Sequence, residues 1–217
     1  HSLLVSKDGK IWFGMQSGVA CYDGQDIEYI TNQQIVADVP CKDLLEDAQN
    51  RIWIATLGNG CFVISDSSLL QISSSQGLLD DNVRCLMKDH QNNIWIGTSK
   101  GINVLSGEVM SRISEPEGLP VLSVVALAES RNGEIWIGTF QQALFKMDAI
   151  GLHKYTKEDG LSDANIKSIL EDSQGNMWFS SLSGGVNRYS NGLINHYTIK
   201  EGISNNRVYC LEFKFIY

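Results

Sequence analysis

The chain contains five tryptophans, Trp12, Trp53, Trp95, Trp136 and Trp178, separated by 41, 42, 41 and 42 residues. Each lies in one version of a single phrase: KIWFG, RIWIA, NIWIG, EIWIG, NMWFS. So regular a spacing means one structural unit written several times. Such units bury their apolar faces against copies of themselves. A period of about 40–45 residues is the length of one four-stranded propeller blade.

Other positions keep step with the tryptophans. Three residues before each stands Gly9, Asn50, Asn92, Gly133 or Gly175, the residue types that tolerate positive φ, so a tight turn enters the Trp strand. Six residues before stand Asp47, Asp89 and Asp172, with Ser6 and Ser130 in the other copies; short oxygens there can accept from turn amides. Nine before come Leu44, Leu86, Leu127 and Ile169, a core position. Gly77, Gly118 and Gly160, each followed by Leu, stand eighteen before, and Gly202 continues the series.

Between these markers the third repeat reads as four short strands, over 82–89, 93–98, 101–107 and 109–114, rich in β-branched and apolar residues and bounded by Gly, Asn, Asp or Ser. No long stretch has a helical stripe. The expected fold is all-β: a β-propeller of four-stranded antiparallel blades, with strands A to D running outward from the axis. Five complete repeats occupy roughly 1–33, 34–75, 76–117, 118–158 and 159–200, and a sixth inner strand falls in 203–217. The sixth Trp would fall at 220, so the chain reads as a fragment of a larger propeller or as a truncated product, with a five-bladed ring possible. Open blade faces and the β-prone FKFIY terminus point to self-association.

Composition removes several function classes. The net charge is −8 with no basic run, so nucleic acid is a poor partner. The longest apolar stretch, 119–128, is too short to span a bilayer. Five cysteines without metal-ligand or paired spacing read as small buried hydrophobes.

The phrases EDSQGNMWFSSLSGGVNRY (171–189) and DGLSDANIKSIL (159–170) resemble the two-component regulator propeller repeats. The second repeat lacks the Gly-Leu pair, and the fourth carries Ser130 and Gln142-Ala143 in place of Asp and paired glycines. The resemblance implies the periplasmic sensor half of a hybrid histidine kinase. Its ligand would be an oligosaccharide, and membrane contact would come only through parts outside this chain. The kinase would lie outside it as well.

No catalytic constellation appears. His1, His90, His153 and His196 share no metal spacing, no GxSxG occurs, and LSGGV (182–186) lacks the lysine of a phosphate loop. An Asp repeated in blade after blade serves a turn rather than a reaction. No cofactor and no metal are expected. A protein-binding scaffold is the alternative reading, and a propeller lyase with a central histidine a remote one. Binding chemistry must lie in what differs between copies. The D–A loops (37–40, 79–82, 119–122, 161–165, 203–207) and B–C loops (99–101, 139–142, 181–184) emerge on one face. On it Asn82, Arg84, Phe140, Gln141, Asn165, Lys167 and Arg207 offer an aromatic platform with amide and cationic donors, which suits a sugar. The plain alternative is that they are solvated loop residues.

Overall fold

Every tryptophan stands on the second strand of a four-stranded antiparallel sheet. The computed structural model describes residues 2–30, 39–65, 68–113, 120 and 123–212. Parts of the expected connecting loops (37–38, 119, 121–122) and the terminal 213–217 lie outside these residues. The chain divides into two compact units, His1–Val121 and Leu122–Tyr217, each considered by itself.

The first unit holds three sheets, each in chain order: β1 (Ser2–Val5), β2 (Ile11–Met15), β3 (Gly18–Tyr22) and β4 (Ile27–Tyr29); β5 (Cys41–Glu46), β6 (Ile52–Thr56), β7 (Cys61–Ser65) and β8 (Ser68–Ile72); β9 (Val83–Lys88), β10 (Ile94–Thr98), β11 (Gly101–Ser106) and β12 (Val109–Ile113). The second unit holds two more: β13 (Val124–Glu129), β14 (Ile135–Thr139), β15 (Leu144–Met147) and β16 (Leu152–Tyr155); β17 (Ile166–Glu171), β18 (Met177–Ser181), β19 (Val186–Ser190) and β20 (Leu193–Tyr197). These are β-propeller blades.

The repeated phrase can now be read letter by letter. Its Trp faces the following blade: Trp12 packs with Leu44, Ile54 and Phe62, and Trp53 with Val83, Leu86 and Ile96. The flanking Ile residues point to the other side of the sheet, toward the preceding blade. Trp136 shows the same arrangement, with ring centroids 5.2 Å from Phe179 and 4.9 Å from Tyr189. Each side chain buried in this way contributes about 1.5–3 kcal/mol. The Gly that follows is a point of close approach: a Cβ on Gly138 would lie 2.7 Å from Ile166 Cγ2, and one on Gly14 2.6 Å from Cys41 Sγ. The final Thr closes the B–C turn, Thr98 Oγ1 donating to Gly101 O at 2.9 Å and Thr56 Oγ1 to Gly60 O at 2.7 Å.

The A–B turn is built on the acid before it. Asp89 Oδ1 accepts from the amides of Gln91 and Asn93, and its Oδ2 from the indole of Trp95. The residue three before each Trp has positive φ, from 60° at Asn50 to 86° at Gly9. Strand A of blades two to five bulges opposite the end of strand B, between Cys41 and Asp43, for example.

The extra strand expected at the C-terminus is not formed in 203–212. The segment nevertheless keeps the repeat's register. Gly185 N–H donates to Asn206 O at 2.8 Å, as Gly60 N–H does to Asp81 O at 2.8 Å. Leu211 N–H donates to Ser168 Oγ, 43 residues away, as Leu86 N–H does to Asp43 Oδ2. In each of the five sheets strand A is laddered to the Trp strand that follows it. Four cysteines are buried as expected, with burial pushing the Cys41 thiol up to about 12; Cys210, on this segment, is exposed instead.

Candidate ligand site

In blades two to five the B–C loop is tied to the D–A loop by a backbone bond, from the residue four after Trp to the residue thirteen before it. The pairs are Leu57 to Pro40 (3.2 Å), Ser99 to Asn82 (3.0 Å), Phe140 to Ser123 (2.9 Å) and Leu182 to Asn165 (3.1 Å). This clasp sets two copy-variable side chains next to each other at the same end of these four blades.

In the first unit it positions two of the expected residues. Asn82 Nδ2 donates to Asp80 Oδ1 at 2.8 Å, and Arg84 Nε donates to Ser99 Oγ at 3.1 Å, so Ser99 links both. Lys100 pairs with Asp80 at 3.0 Å. Burial works to raise the Asp80 carboxyl, but Lys100 and Asn82 hold it below its ordinary value.

In the second unit Lys167 Nζ lies 5.5 Å from the centroid of Phe140, so two expected residues from adjacent blades meet as a cation over an aromatic face. Phe140 is 39% exposed. Gln141 follows it in the left-handed region, at φ 64°. Asn165 donates through Nδ2 to Asp163, while its Oδ1 is buried and accepts nothing. Ser123 Oγ, beside the Phe140 clasp, is likewise buried without a partner. Arg207 is exposed, its amide held by Asn205 Oδ1. Asn82 and Arg84 belong to the first unit and the other five residues to the second.

Ser99, Ser123, Asp80 and Asp163 are the residues sequence reasoning missed. Asp163 accepts from the amide and hydroxyl of Ser183 at 2.9 and 2.7 Å; these donors outweigh its burial and keep its carboxyl low. The signal was present: Asp80 and Asp163 both stand fifteen before Trp, two before an Asn.

Of the histidines, His90 lies in an A–B turn, and His153 and His196 lie on the outermost strands β16 and β20, where His153 Nε2 is 3.2 Å from Asp148. Among the described residues no group of three or more His, Cys, Asp or Glu could hold a metal, and no helix is long and apolar enough to cross a membrane.

The family model described as two component regulator propeller matches residues 77–100, 118–141 and 160–183. Each match runs from the Gly-Leu pair through strands A and B to the clasped loop. No curated protein matches the chain. Among solved structures, the extracellular domain of a hybrid two-component system from B. thetaiotaomicron aligns with a TM-score of 0.80 at 23% identity, over 94% of this chain and 29% of that one. PorZ of Porphyromonas gingivalis, a surface component of the type-IX secretion system, aligns at 0.72 and 12% identity, over 97% and 36%. Virginiamycin B lyase from Staphylococcus aureus aligns at 0.69 and 15% identity, over 90% and 68%. This chain thus spans under a third of the first relative's length. At these identities the likenesses establish the fold, a propeller of four-stranded blades, and three stretches of the chain match the two component regulator propeller model.

Proposed function

We propose that the chain is part of the extracytoplasmic sensor domain of a two-component regulator. In this reading it binds an oligosaccharide through its clasped loops and passes the signal to a kinase outside the chain. The observation that carries the ligand reading is the Phe140–Lys167 pair. An exposed ring is held by one blade under a cation from the next, beside the unpartnered acceptors Asn165 Oδ1 and Ser123 Oγ. A sugar presents an apolar ring face to an aromatic and hydroxyl donors to buried oxygens, and this cluster offers both. Gln141 and Arg207 add polar reach in the second unit; Asn82 and Arg84 form the corresponding polar cluster in the first. A periplasmic location follows from the same reading.

The reading is non-enzymatic. The carboxylates at the site are already engaged with turn amides, Lys100 or Ser183, and are held ionised, which suits fixed acceptors rather than proton carriers. Calorimetry with neutral and acidic oligosaccharides tests the proposal. Binding that weakens at least about tenfold in Phe140→Ala is expected; no heat with any glycan, or steady turnover of one, would count against it.

A further inference from the structure

The strand A bulges present charge. In blades two to five one residue of strand A has no partner on strand B: Lys42 on β5, Arg84 on β9, Val125 on β13 and Lys167 on β17. Three of the four are cations, in a chain of net charge −8. A bulge takes its residue out of the strict alternation of the strand and re-aims the side chain. Each bulge residue stands two after the D–A carbonyl that closes the clasp, and two of the side chains reach a B–C loop. Arg84 Nε donates to Ser99 Oγ at 3.1 Å, and Lys167 Nζ lies 5.5 Å from the Phe140 centroid.

These cations are not neutralised by the fold. All three are half-buried, and among the described residues none pairs with a carboxylate. Elsewhere cations find acids: Arg51 pairs with Asp47 at 2.6 Å, Lys100 with Asp80 at 3.0 Å and Lys146 with Glu134 at 2.9 Å. The acids close to the bulges in sequence are already engaged. Asp80 holds Lys100 and Asn82, Asp81 accepts from the amide and hydroxyl of Ser74, and Asp163 accepts from those of Ser183. Asp43, next to Lys42, accepts from Leu86 N–H, Leu44 N–H and Ser2 Oγ. The other end of strand A is the reverse. It finishes in Glu46, Glu129 and Glu171, with Lys88 in the third blade. Glu46 accepts from Lys7 N–H and Glu171 from Arg131 N–H, both at 2.9 Å, so charge at that end fastens blade to blade. A half-buried cation without a counter-charge has given up hydration that the fold does not return. A bound anion would return it.

We propose that the bulge cations hold an anionic group, so that the ligand of the clasped loops is an acidic oligosaccharide, one carrying carboxylates or sulfate esters. This rests on the sugar-binding reading above and narrows it. Lys42 and Arg84 serve the first unit and Lys167 the second. Ser99 orients the Arg84 guanidinium through Nε, and the two terminal nitrogens form the donor fork that matches a carboxylate or sulfate. The Phe140 ring steadies Lys167 without neutralising it. The net charge of −8 repels polyanions in general, so acidic glycans need such a local site to bind.

Binding of the 217-residue chain to an array of neutral, uronate-containing and sulfated oligosaccharides tests this, followed by calorimetry with the bound glycans at low and high salt. The expected result is that the bound glycans are acidic and that their affinity falls as salt rises. Preference for uronates or for sulfates separates the two sources of the anion. Lys42→Val/Arg84→Val/Lys167→Val gives each bulge the residue that Val125 supplies in the fourth blade, and circular dichroism verifies that the fold is kept. It should weaken binding at least about tenfold. Lys10→Gln/Lys88→Gln/Lys154→Gln removes as much charge away from the bulges and should leave binding unchanged. Bound glycans that are all neutral would overturn the inference and leave the sugar-binding reading standing, whereas an array with nothing bound would overturn both. Equal losses in the two triple variants would assign the effect to overall charge and overturn the inference as well.

Discussion

Trp95 Nε1 donates to Asp89 Oδ2 at 2.9 Å, across six residues of sequence and one tight turn. The same bond joins Trp53 to Asp47 and Trp178 to Asp172, both at 2.8 Å, while Trp12 reaches Ser6 Oγ at 3.3 Å. One carboxylate thus fixes the turn and satisfies the buried indole together. Asp89→Ala removes both functions and leaves the Trp95 N–H without its acceptor. A loss of about 2–3 kcal/mol in chemical denaturation is expected.

The fourth blade has the opposite defect. Trp136 is fully buried, its Nε1 has no acceptor, and Ser130 interacts with Glu134 instead. Ser130→Asp supplies the missing oxygen but sets a charge beside Glu134. Combined with Glu134→Asn, the residue type found at Asn93 and Asn176, it should raise stability by about 1 kcal/mol. Thermal unfolding of the double variant reads this directly, and a lower midpoint than the parent's would contradict it.

Much of this was legible in the sequence because it recurs. The Trp register gave the blades, the positive-φ turn residues and the turn acids, since each blade must solve the same packing problem. The Thr of the phrase and the Asp fifteen before Trp were equally periodic. Their partners, a carbonyl three or four residues on for the Thr and Lys100 or Ser183 of the B–C loop for the Asp, come together only in the folded blade. The meeting of Phe140 and Lys167 depends on how adjacent blades are set against each other. Residues 203–212 keep the register of the repeat without forming a strand.

Gly138 leaves room for the next blade. Gly138→Ala should cost about 1–3 kcal/mol, because its Cβ meets Ile166 at 2.7 Å. Ile166→Ala removes the Cγ2 that the new Cβ would meet. The double variant should lose less than the sum of the two single variants, giving a favourable coupling in a double-mutant cycle. Strictly additive effects would contradict the close-approach reading.

Stability should respond to pH in two opposite ways. Asp43 accepts from Leu86 N–H, Leu44 N–H and Ser2 Oγ, so it joins three blades of the first unit, and burial pushes its carboxyl up to about 6. A folded value above the unfolded one, near 3.9, means stability that is present at low pH and lost as pH rises through about 6, on the order of 2 kcal/mol. Asp172 is the reverse. Its burial works against charge, but Trp178, Asn176 and Gln174 donate to it and hold it at about 2, so its contribution is lost as pH falls from about 4 toward 2. Unfolding free energy should therefore rise between pH 7 and 4 and fall below. Asp43→Asn should flatten the first limb only.

The central claim is that the repeated residues hold the blades together and the copy-variable loop residues bind. Amide and side-chain chemical shifts during titration of the isotopically labelled chain with an oligosaccharide that binds it test this most directly. The account predicts shifts concentrated at Phe140, Gln141, Asn165, Lys167 and Arg207, and at Asn82 and Arg84, with the indole signals of Trp12, Trp53, Trp95 and Trp136 unmoved. Shifts that leave Phe140 and Lys167 untouched while moving those indoles would contradict it.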